Sequence, residues 1–479
     1  MVMKTVEKSM INVIESPRNI VIVGGGTAGW LCASYLSKKL PQHNVKVIYS
    51  SLISPIGVGE STTPQVIALL DELGVDERHW MRETGASFKY CNKLIDWLRP
   101  GHTEHVGFDY PYPFASLPYP KDHSQFFNDN DSPILTDAII KMYQEGTIDR
   151  FDQYFNTVHH YCENETWGND KLTNFYVKSH HIDADLTSEY LKKYVALPNG
   201  VEAIDNEVVN INRAGDDIVS ISLKDGQIIE GDIFVDATGF RRLLIQSDIE
   251  KLDHPMNAAY VKRIRYSHES ELKPYTESIR NKYGWQFKVY LQGRYGSGFV
   301  HNQRDSDTLG AELDGYRLIR WTPFKSKRFN VGNCYTIGLS AGFIDPLEGN
   351  SLYITAASIK HLVTAFTKGN GYFEDTMSAL IDNIYDHLKI FYDKPIDLKK
   401  EYFDKENDTK SLFSMKKLFP EYMWLQKAIC FEKGLDDWPL RDGDYRKAEN
   451  TLLIREALHK KYAKEAKPYY IGLQEYLHS

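Results

Sequence analysis

Apolar positions along this chain change period several times, and each change marks an element. Residues 1–18 are a polar lead-in. Asn19–Val23 is a short apolar run ending in glycines, which predicts a buried strand. Leu31, Ala33, Tyr35, Leu36 and Leu40 then recur at helical spacing from Thr27 to Leu40, and Val45–Tyr49 returns to strand. Together they make a βαβ unit. Pro64–Leu73 predicts another helix. Trp97–Tyr119, rich in Pro, Tyr and Phe, predicts a loop that is either a pocket wall or a packed flap. Residues 186–197 read as helix. Glu207–Asn212, Ile218–Leu223 and Gln227–Glu230 read as a meander turning at Asp225-Gly226. Ile233–Asp236 is a further buried strand, Tyr260–Phe299 alternates like sheet, Cys334–Gly338 is a strand and Leu352–Thr367 a helix. Beyond Tyr372 the pattern is helical, as at Leu380, Ile384, Leu388 and Phe391. Repeats and low-complexity tracts are absent.

Composition narrows the classes. A chain of 479 residues with 42% hydrophobic and 25% charged residues buries a large core, in two lobes. A net charge of −8 argues against nucleic acid as the main partner. Cys32, Cys91, Cys162, Cys334 and Cys430 are scattered and lack a C-x-x-C pair, which suits reduced thiols better than disulfides or zinc. His102, His105, His159 and His160 are read as pocket or surface residues, with no metal expected, because no metal spacing recurs with carboxylates or cysteines. No apolar signal core or membrane-length run occurs, so a soluble cytoplasmic protein is expected, with no membrane partner and homo-oligomerisation left open.

The chemistry begins at Gly24-Gly25-Gly26-Thr27-Ala28-Gly29. Gly24, Gly26 and Gly29 fit G-x-G-x-x-G between a strand and a helix, where a dinucleotide pyrophosphate rests on the helix N-terminus. An NAD site usually ends its second strand with a carboxylate. Val45–Ser51 has none, which leaves the ribose to Tyr49, Ser50, Ser51 or backbone groups. Asp236 ends a later buried strand before Ala237-Thr238-Gly239 and resembles the second FAD motif of the monooxygenase-type flavoproteins. Asp345-Pro346-Leu347-Glu348-Gly349-Asn350-Ser351 precedes a helix that Asn350 or Ser351 can cap. Such an N-terminus can hold an anion: reduced flavin, a halide or a carboxylate. An ordinary capped helix has the same look.

The expected fold is therefore α/β with α+β insertions. A Rossmann-like FAD-binding module of the flavin monooxygenase type is dispersed over residues 19–365. Sheet-rich substrate regions are inserted around 90–185 and 255–325, and a mainly helical region, 366–479, covers the substrate lobe.

Taken together, these residues resemble the flavin-dependent halogenases, the family typified by tryptophan halogenases, over about Asn19 to Leu362. Gly57-Val58-Gly59-Glu60-Ser61-Thr62-Thr63-Pro64 is similar to the family's G-x-G-E-[AS]-T-x-P strap, which implies that Gly57, Gly59, Glu60, Ser61 and Thr62 lie against the flavin. Ala86-Ser87-Phe88-Lys89 with Asp96-Trp97 matches the segment carrying the essential lysine, which implies Lys89. Leu347-Glu348 falls on P-L-E-S-T-G, placing Glu348 at the catalytic glutamate, Leu347 at the flavin, and Asn350 and Ser351 at the halide. His181-Ile182-Asp183-Ala184 is a further landmark.

Departures are as informative. W-x-W-x-I-P stands here as Trp285-Gln286-Phe287-Lys288-Val289-Tyr290, and S-T-G as Gly349-Asn350-Ser351. The H-P-F that contacts indole is matched by Tyr112-Pro113-Phe114, which makes Tyr112 and Phe114 pocket residues and free tryptophan a doubtful substrate. A divergent branch, such as the viral halogenases of cyanophage, is a home for such a chain. The resemblance implies reduced FAD, oxygen and halide yielding hypohalous acid that Lys89 delivers to a small electron-rich aromatic, with bromide or iodide favoured over chloride. A separate flavin reductase is expected, since no second dinucleotide loop offers an NAD(P)H site. A single-component FAD-dependent aromatic monooxygenase and a catalytically inactive FAD-binding protein are the competing readings. Neither needs the Lys89–Glu348 pair.

Overall fold

The computed structural model describes residues 16–53, 57–107, 132–148, 150–155, 158–168, 179–245, 247–310, 313–392, 440 and 443–479. They form two compact units. One takes the described residues up to Ala86 with Ile182–Ala259 and His301–Ile384. The other takes Ser87–His181, Tyr260–Val300 and Tyr385–Ser479.

The first unit is built on a six-stranded sheet in the order Asn330–Val331, Cys334–Thr336, Ile233–Asp236, Asn19–Val23, Asn44–Tyr49, Glu202–Asp205. All neighbours are parallel except the Asn330–Val331 edge. Asn19–Val23 lies centrally, and Ile20, Val21 and Ile22 are fully buried, which is why this strand reads as an unbroken apolar run. The Thr27–Lys39 helix crosses from it to Asn44–Tyr49. The carboxyl ends of the parallel strands are where an open α/β sheet receives ligands. Here those ends deliver the glycine loop after Val23, the Ala237 turn after Asp236 and Gly338 after Thr336. The meander forms as Val208–Ala214, Asp217–Leu223 and Ile228–Glu230, and buries Ile218, Ile221 and Leu223 against Val21 and Phe234.

In the second unit Gly284–Leu291, Tyr275–Asn281, Cys91–Ile95 and Thr103–Gly107 lie side by side. The loop expected over Trp97–Tyr119 is corrected here: Thr103–Gly107 is a strand, paired residue for residue with Cys91–Ile95. Antiparallel pairing with the neighbouring strand, from Ile95 opposite Thr103 to Cys91 opposite Gly107, outweighs the Pro and aromatic signal. Tyr112 and Phe114 lie outside the described residues. The Tyr445–Glu465 helix runs along Ser132–Gln144, with Lys141 Nζ 3.0 Å from Glu449. The Tyr469–His478 helix brings Gly472 so close to Trp167 that a Cβ there would lie 2.1 Å from the indole. No described helix is long and apolar enough to cross a membrane, and the four described cysteines are free and buried.

Candidate functional site

The glycine loop divides its labour. Gly24 has φ +128°, and a Cβ there would lie 2.2 Å from the Ala237 carbonyl oxygen. A Cβ on Gly29 would lie 1.9 Å from the Gly24 oxygen. Both glycines let backbones touch. At Gly26 a Cβ would meet no atom within 4 Å. Gly26 is also the N-cap of the Thr27 helix, which has no side-chain cap. Uncapped N–H groups beside a glycine facing open space fit the pyrophosphate of FAD. Thr27 turns its hydroxyl away from that space, onto the Ala184 oxygen and the Ser188 hydroxyl, while Ala28 packs near Gly338.

At the end of the second strand, Tyr49 is held by Lys192, whose Nζ donates to the phenol at 3.0 Å and lies 4.4 Å above the ring. Ser50 Oγ accepts from the Leu52 N–H. The carboxylate missing from this strand arrives from its neighbour. Asp205 pairs with Tyr49 across the sheet and accepts the Ser51 N–H at 2.9 Å, which holds it below the usual carboxylate range. The parallel pairing that brings Asp205 there leaves no sequence signal beyond a short strand ending in Asp.

The Gly57–Thr62 strap includes the two-residue strand Glu60–Ser61. Gly57 packs against Ala184, Gly59 has φ +125°, and Ser61 and Thr62 are buried. Burial, then the charges of Asp185 and Asp183, push the Glu60 carboxyl up to about 7. Ser61 meets the Glu348 turn directly, since a Cβ on Gly349 would lie 2.2 Å from its carbonyl oxygen.

Asp236 is fully buried. Its Oδ1 accepts from the Thr238 N–H and hydroxyl and from Ser340, and its Oδ2 from the Leu244 and Ile245 N–H groups. The carboxylate is engaged in shaping the turn, including Gly239 at φ +64°. Anything this residue offers a cofactor passes through that turn.

The Asp345 turn works the same way. Asp345 accepts the Leu347 N–H on one oxygen and His254 Nε2 on the other, at 2.9 and 2.8 Å. Glu348 and Gly349 follow in consecutive left-handed conformations, φ 62° and 75°. For a non-glycine residue that conformation costs roughly 1–2 kcal/mol, so the turn is held in place from outside. The expected side-chain cap is corrected: Gly349 is the N-cap of the Asn350–Lys368 helix, no side chain caps it, and Asn350 Nδ2 donates back to the Leu347 oxygen. Ser351 gives its carbonyl to the Thr355 hydroxyl. The helix therefore starts without a side-chain cap, an N-terminus of the kind that can take an anion. His254, about ninety residues away, carries no motif that marks it for this task.

In the second unit Lys89 has no exposed surface. It ends the Ser87–Lys89 strand, antiparallel to Ser179–Ile182 with Ser87 opposite His181 and Lys89 opposite Ser179. Alternation places Ser87 and Lys89 on one face. On the other, Phe88 is clasped by Trp167, His180 and Tyr476 at ring distances of 5.6, 4.7 and 5.3 Å. Its carbonyl accepts the Tyr469 hydroxyl. His181 Nδ1 meets the Tyr290 carbonyl at 2.9 Å, so it carries the proton, and Nε2 accepts from Thr276. Burial, then the Lys89 charge, hold this imidazole well below its ordinary pKa and keep it neutral.

Comparison with known proteins gives one family model, described as tryptophan halogenase, matching residues 19–418. Tryptophan 7-halogenase RebH of Lentzea aerocolonigenes is 31% identical over 387 residues, 72% of this chain and 69% of that protein. Tryptophan 6-halogenase ThaL of Streptomyces albogriseolus is 31% identical over 389 residues, 73% and 70% of the two. Among solved structures, the tryptophan 6-halogenase SttH of Streptomyces toxytricini has the same fold, with a TM-score of 0.80 at 23% identity over 96% of this chain and all of that one. None of the three singles out a viral branch.

Proposed function

Because the chain belongs to the tryptophan halogenase family, we propose that it halogenates small electron-rich aromatic compounds, with Lys89 delivering the halogen and bromide or iodide preferred to chloride. It is a flavin-dependent halogenase, and the hydroxylase and non-catalytic readings fall with that membership.

Reduced FAD, when bound, supplies with oxygen the oxidising equivalents that turn halide into hypohalous acid. The residues to hold it are Gly24, Gly26, Thr27, Ala28 and Gly29 at the pyrophosphate, and Tyr49, Ser50 and the Asp205-held Ser51 at the ribose. The Gly57–Thr62 strap, the Asp236–Gly239 turn and Leu347 complete the set. The N–H groups of Asn350 and Ser351 hold the halide at an uncapped helix N-terminus.

One observation carries the reading: a lysine with no exposed surface. Burying an amine is costly and needs a reason. This amine can donate to hypohalous acid, or take the halogen on its lone pair once it has lost a proton, and so keeps a diffusible oxidant from leaking. Glu348 orients the electrophile or accepts the proton released by the ring. Tyr112 and Phe114 remain proposed walls of the substrate pocket. Gly349-Asn350-Ser351 replaces the family's S-T-G, and a weaker desolvating cradle favours the less hydrated, more readily oxidised halides. The enzyme acts in the cytoplasm, with reduced FAD supplied by a separate reductase.

The test incubates the protein with a flavin reductase, NADH, FAD and an electron-rich phenol or indole, with chloride, bromide and iodide at equal concentration. Halogenated product with the heavier halides in excess is expected. Lys89→Met should fold, oxidise reduced flavin and make none. Chloride winning sinks the halide preference, and full halogenation by Lys89→Met sinks the assignment. Rapid NADH consumption without the reductase would contradict the two-component arrangement.

A further inference from the structure

The second unit holds a polar cluster with no part in the chemistry above. His159 and Glu163 stand one helical turn apart on His159–Asn164, and so on the same face. His105 comes from the Thr103–Gly107 strand and Asp152 from the start of the Asp152–Phe155 helix. His105 and Asp152 are fully buried and His159 nearly so, whereas Glu163 is partly exposed.

Their ligating atoms converge. His105 Nδ1 lies 3.1 Å from Asp152 Oδ2 and 3.6 Å from Glu163 Oε1, and His159 Nδ1 lies 3.0 Å from Asp152 Oδ2. One ligand atom each from His105, His159 and Glu163 lies within 4.8 Å of the others. A tetrahedral ion with bonds of about 2.0–2.1 Å sets its ligand atoms roughly 3.3–3.4 Å apart, and the 3.6 Å between His105 Nδ1 and Glu163 Oε1 is near such an edge. His159 Nδ1 makes no hydrogen bond despite its 3.0 Å approach to Asp152. That buried nitrogen points its lone pair or proton somewhere other than the carboxylate. Asp152 Oδ2 is crowded, receiving also the His105 N–H and Arg150 Nη2 at 2.9 and 2.7 Å. Arg150 lies 3.3 Å from Glu163 as well, on a side chain with access to solvent, and can swing outward. Two carboxylates and one guanidinium carry a net charge of −1, which a divalent ion reverses without leaving a large excess.

We propose that His105, His159 and Glu163 bind a zinc-class divalent ion, with Asp152 bracing the two imidazoles as an outer-shell carboxylate, so that the ion ties the Thr103–Gly107 strand to the His159–Asn164 helix. Two imidazoles and one carboxylate within 4.8 Å of one another, with a fourth position open, suit zinc or cobalt rather than calcium or magnesium, which take oxygen ligands. Proton sharing among the same groups is the alternative, and it needs no metal.

The experiment uses the full chain, freed of any histidine tag and dialysed against zinc, with bound metal counted by mass spectrometry. One zinc per chain is expected, as is the intense visible absorption of tetrahedral cobalt when cobalt replaces it. Glu163→Gln, at the exposed edge, should keep the wild-type circular dichroism and weaken zinc binding by more than about 100-fold, the upper range for losing a mere outer-shell partner. His159→Gln should do the same. A chelator should lower the thermal midpoint of the wild type and leave that of Glu163→Gln unmoved. Wild-type chain without stoichiometric zinc, Glu163→Gln binding zinc as the wild type does, or a wild-type midpoint indifferent to chelator would each overturn the site.

Discussion

Three glycines in one loop should respond to the same added methyl in opposite ways. In Gly24→Ala the new Cβ sits 2.2 Å from the Ala237 oxygen on a backbone at φ +128°. Holding alanine in that conformation costs about 1–3 kcal/mol. Relieving the overlap costs about another 1–3 kcal/mol. The sum is a large part of an ordinary protein's net stability of roughly 5–15 kcal/mol. Gly29→Ala escapes the conformational cost but meets the Gly24 oxygen at 1.9 Å, so it too destabilises. Gly26→Ala meets nothing, and its φ of −82° suits alanine. Alanine is a poorer N-cap than glycine, but the substitution stiffens the unfolded chain by about 0.4–1 kcal/mol. The two nearly cancel, leaving stability within about 0.5 kcal/mol of wild type. The methyl does stand where phosphate would approach, and FAD affinity should fall at least about tenfold, or ~1.4 kcal/mol. Urea unfolding followed by tryptophan fluorescence and a flavin titration measure the two quantities. Gly26→Ala binding FAD like wild type, or Gly24→Ala unfolding at wild-type urea, would refute the division of labour.

Two other perturbations follow from groups around the turns. The folded Glu60 carboxyl titrates near 7, above its unfolded value near 4.5. Protonated, it costs the fold little. As pH rises from 4.5 to 7 the unfolded chain releases that proton first, and the stability present at acid pH is lost, by about 3 kcal/mol. Glu60→Gln should therefore gain over wild type between pH 5 and pH 8 in denaturant midpoint, and a constant difference across that range would count against it. His254→Ala removes the partner of one Asp345 oxygen and should cost about 1–3 kcal/mol. It should lower kcat more than it changes KM, because Glu348 loses its support, with partial rescue in His254→Gln. An unchanged kcat would show that the pair does not position the turn.

How much of this is legible in the sequence depends on distance along the chain. The Asn19–Tyr49 unit and the meander are readable because their strands and helix are local and their apolar period is unmixed. The strand at Thr103–Gly107 is an exception, close in sequence to its partner Cys91–Ile95 yet hidden within a stretch whose Pro, Tyr and Phe read as loop. Lys89 and Glu348 stand out through resemblance, while physical reading of either alone gives a surface lysine and a helix-end carboxylate. Asp205, His254 and the His105–Glu163 cluster act on partners far away in sequence. No spacing rule reaches that far.

The two aspartates show why motif chemistry is easily misplaced. Asp236 before Thr238-Gly239 looks like a ligand for a cofactor, and Asp345 opens a segment whose helix N-terminus looks suited to an anion. In the fold each accepts backbone N–H groups from the turn just after it, Leu244, Ile245 and Thr238 for one and Leu347 for the other. A carboxylate used this way cannot also face a negatively charged phosphate or halide at close range without repelling it. Buried behind the turn, it fixes the backbone, and under the proposed function the donors left for the ligand are N–H groups and the glycines that expose them. Acidic residues can thus stand at the heart of a proposed site for anions, because what they bind is the loop, and the loop is what would meet the anion.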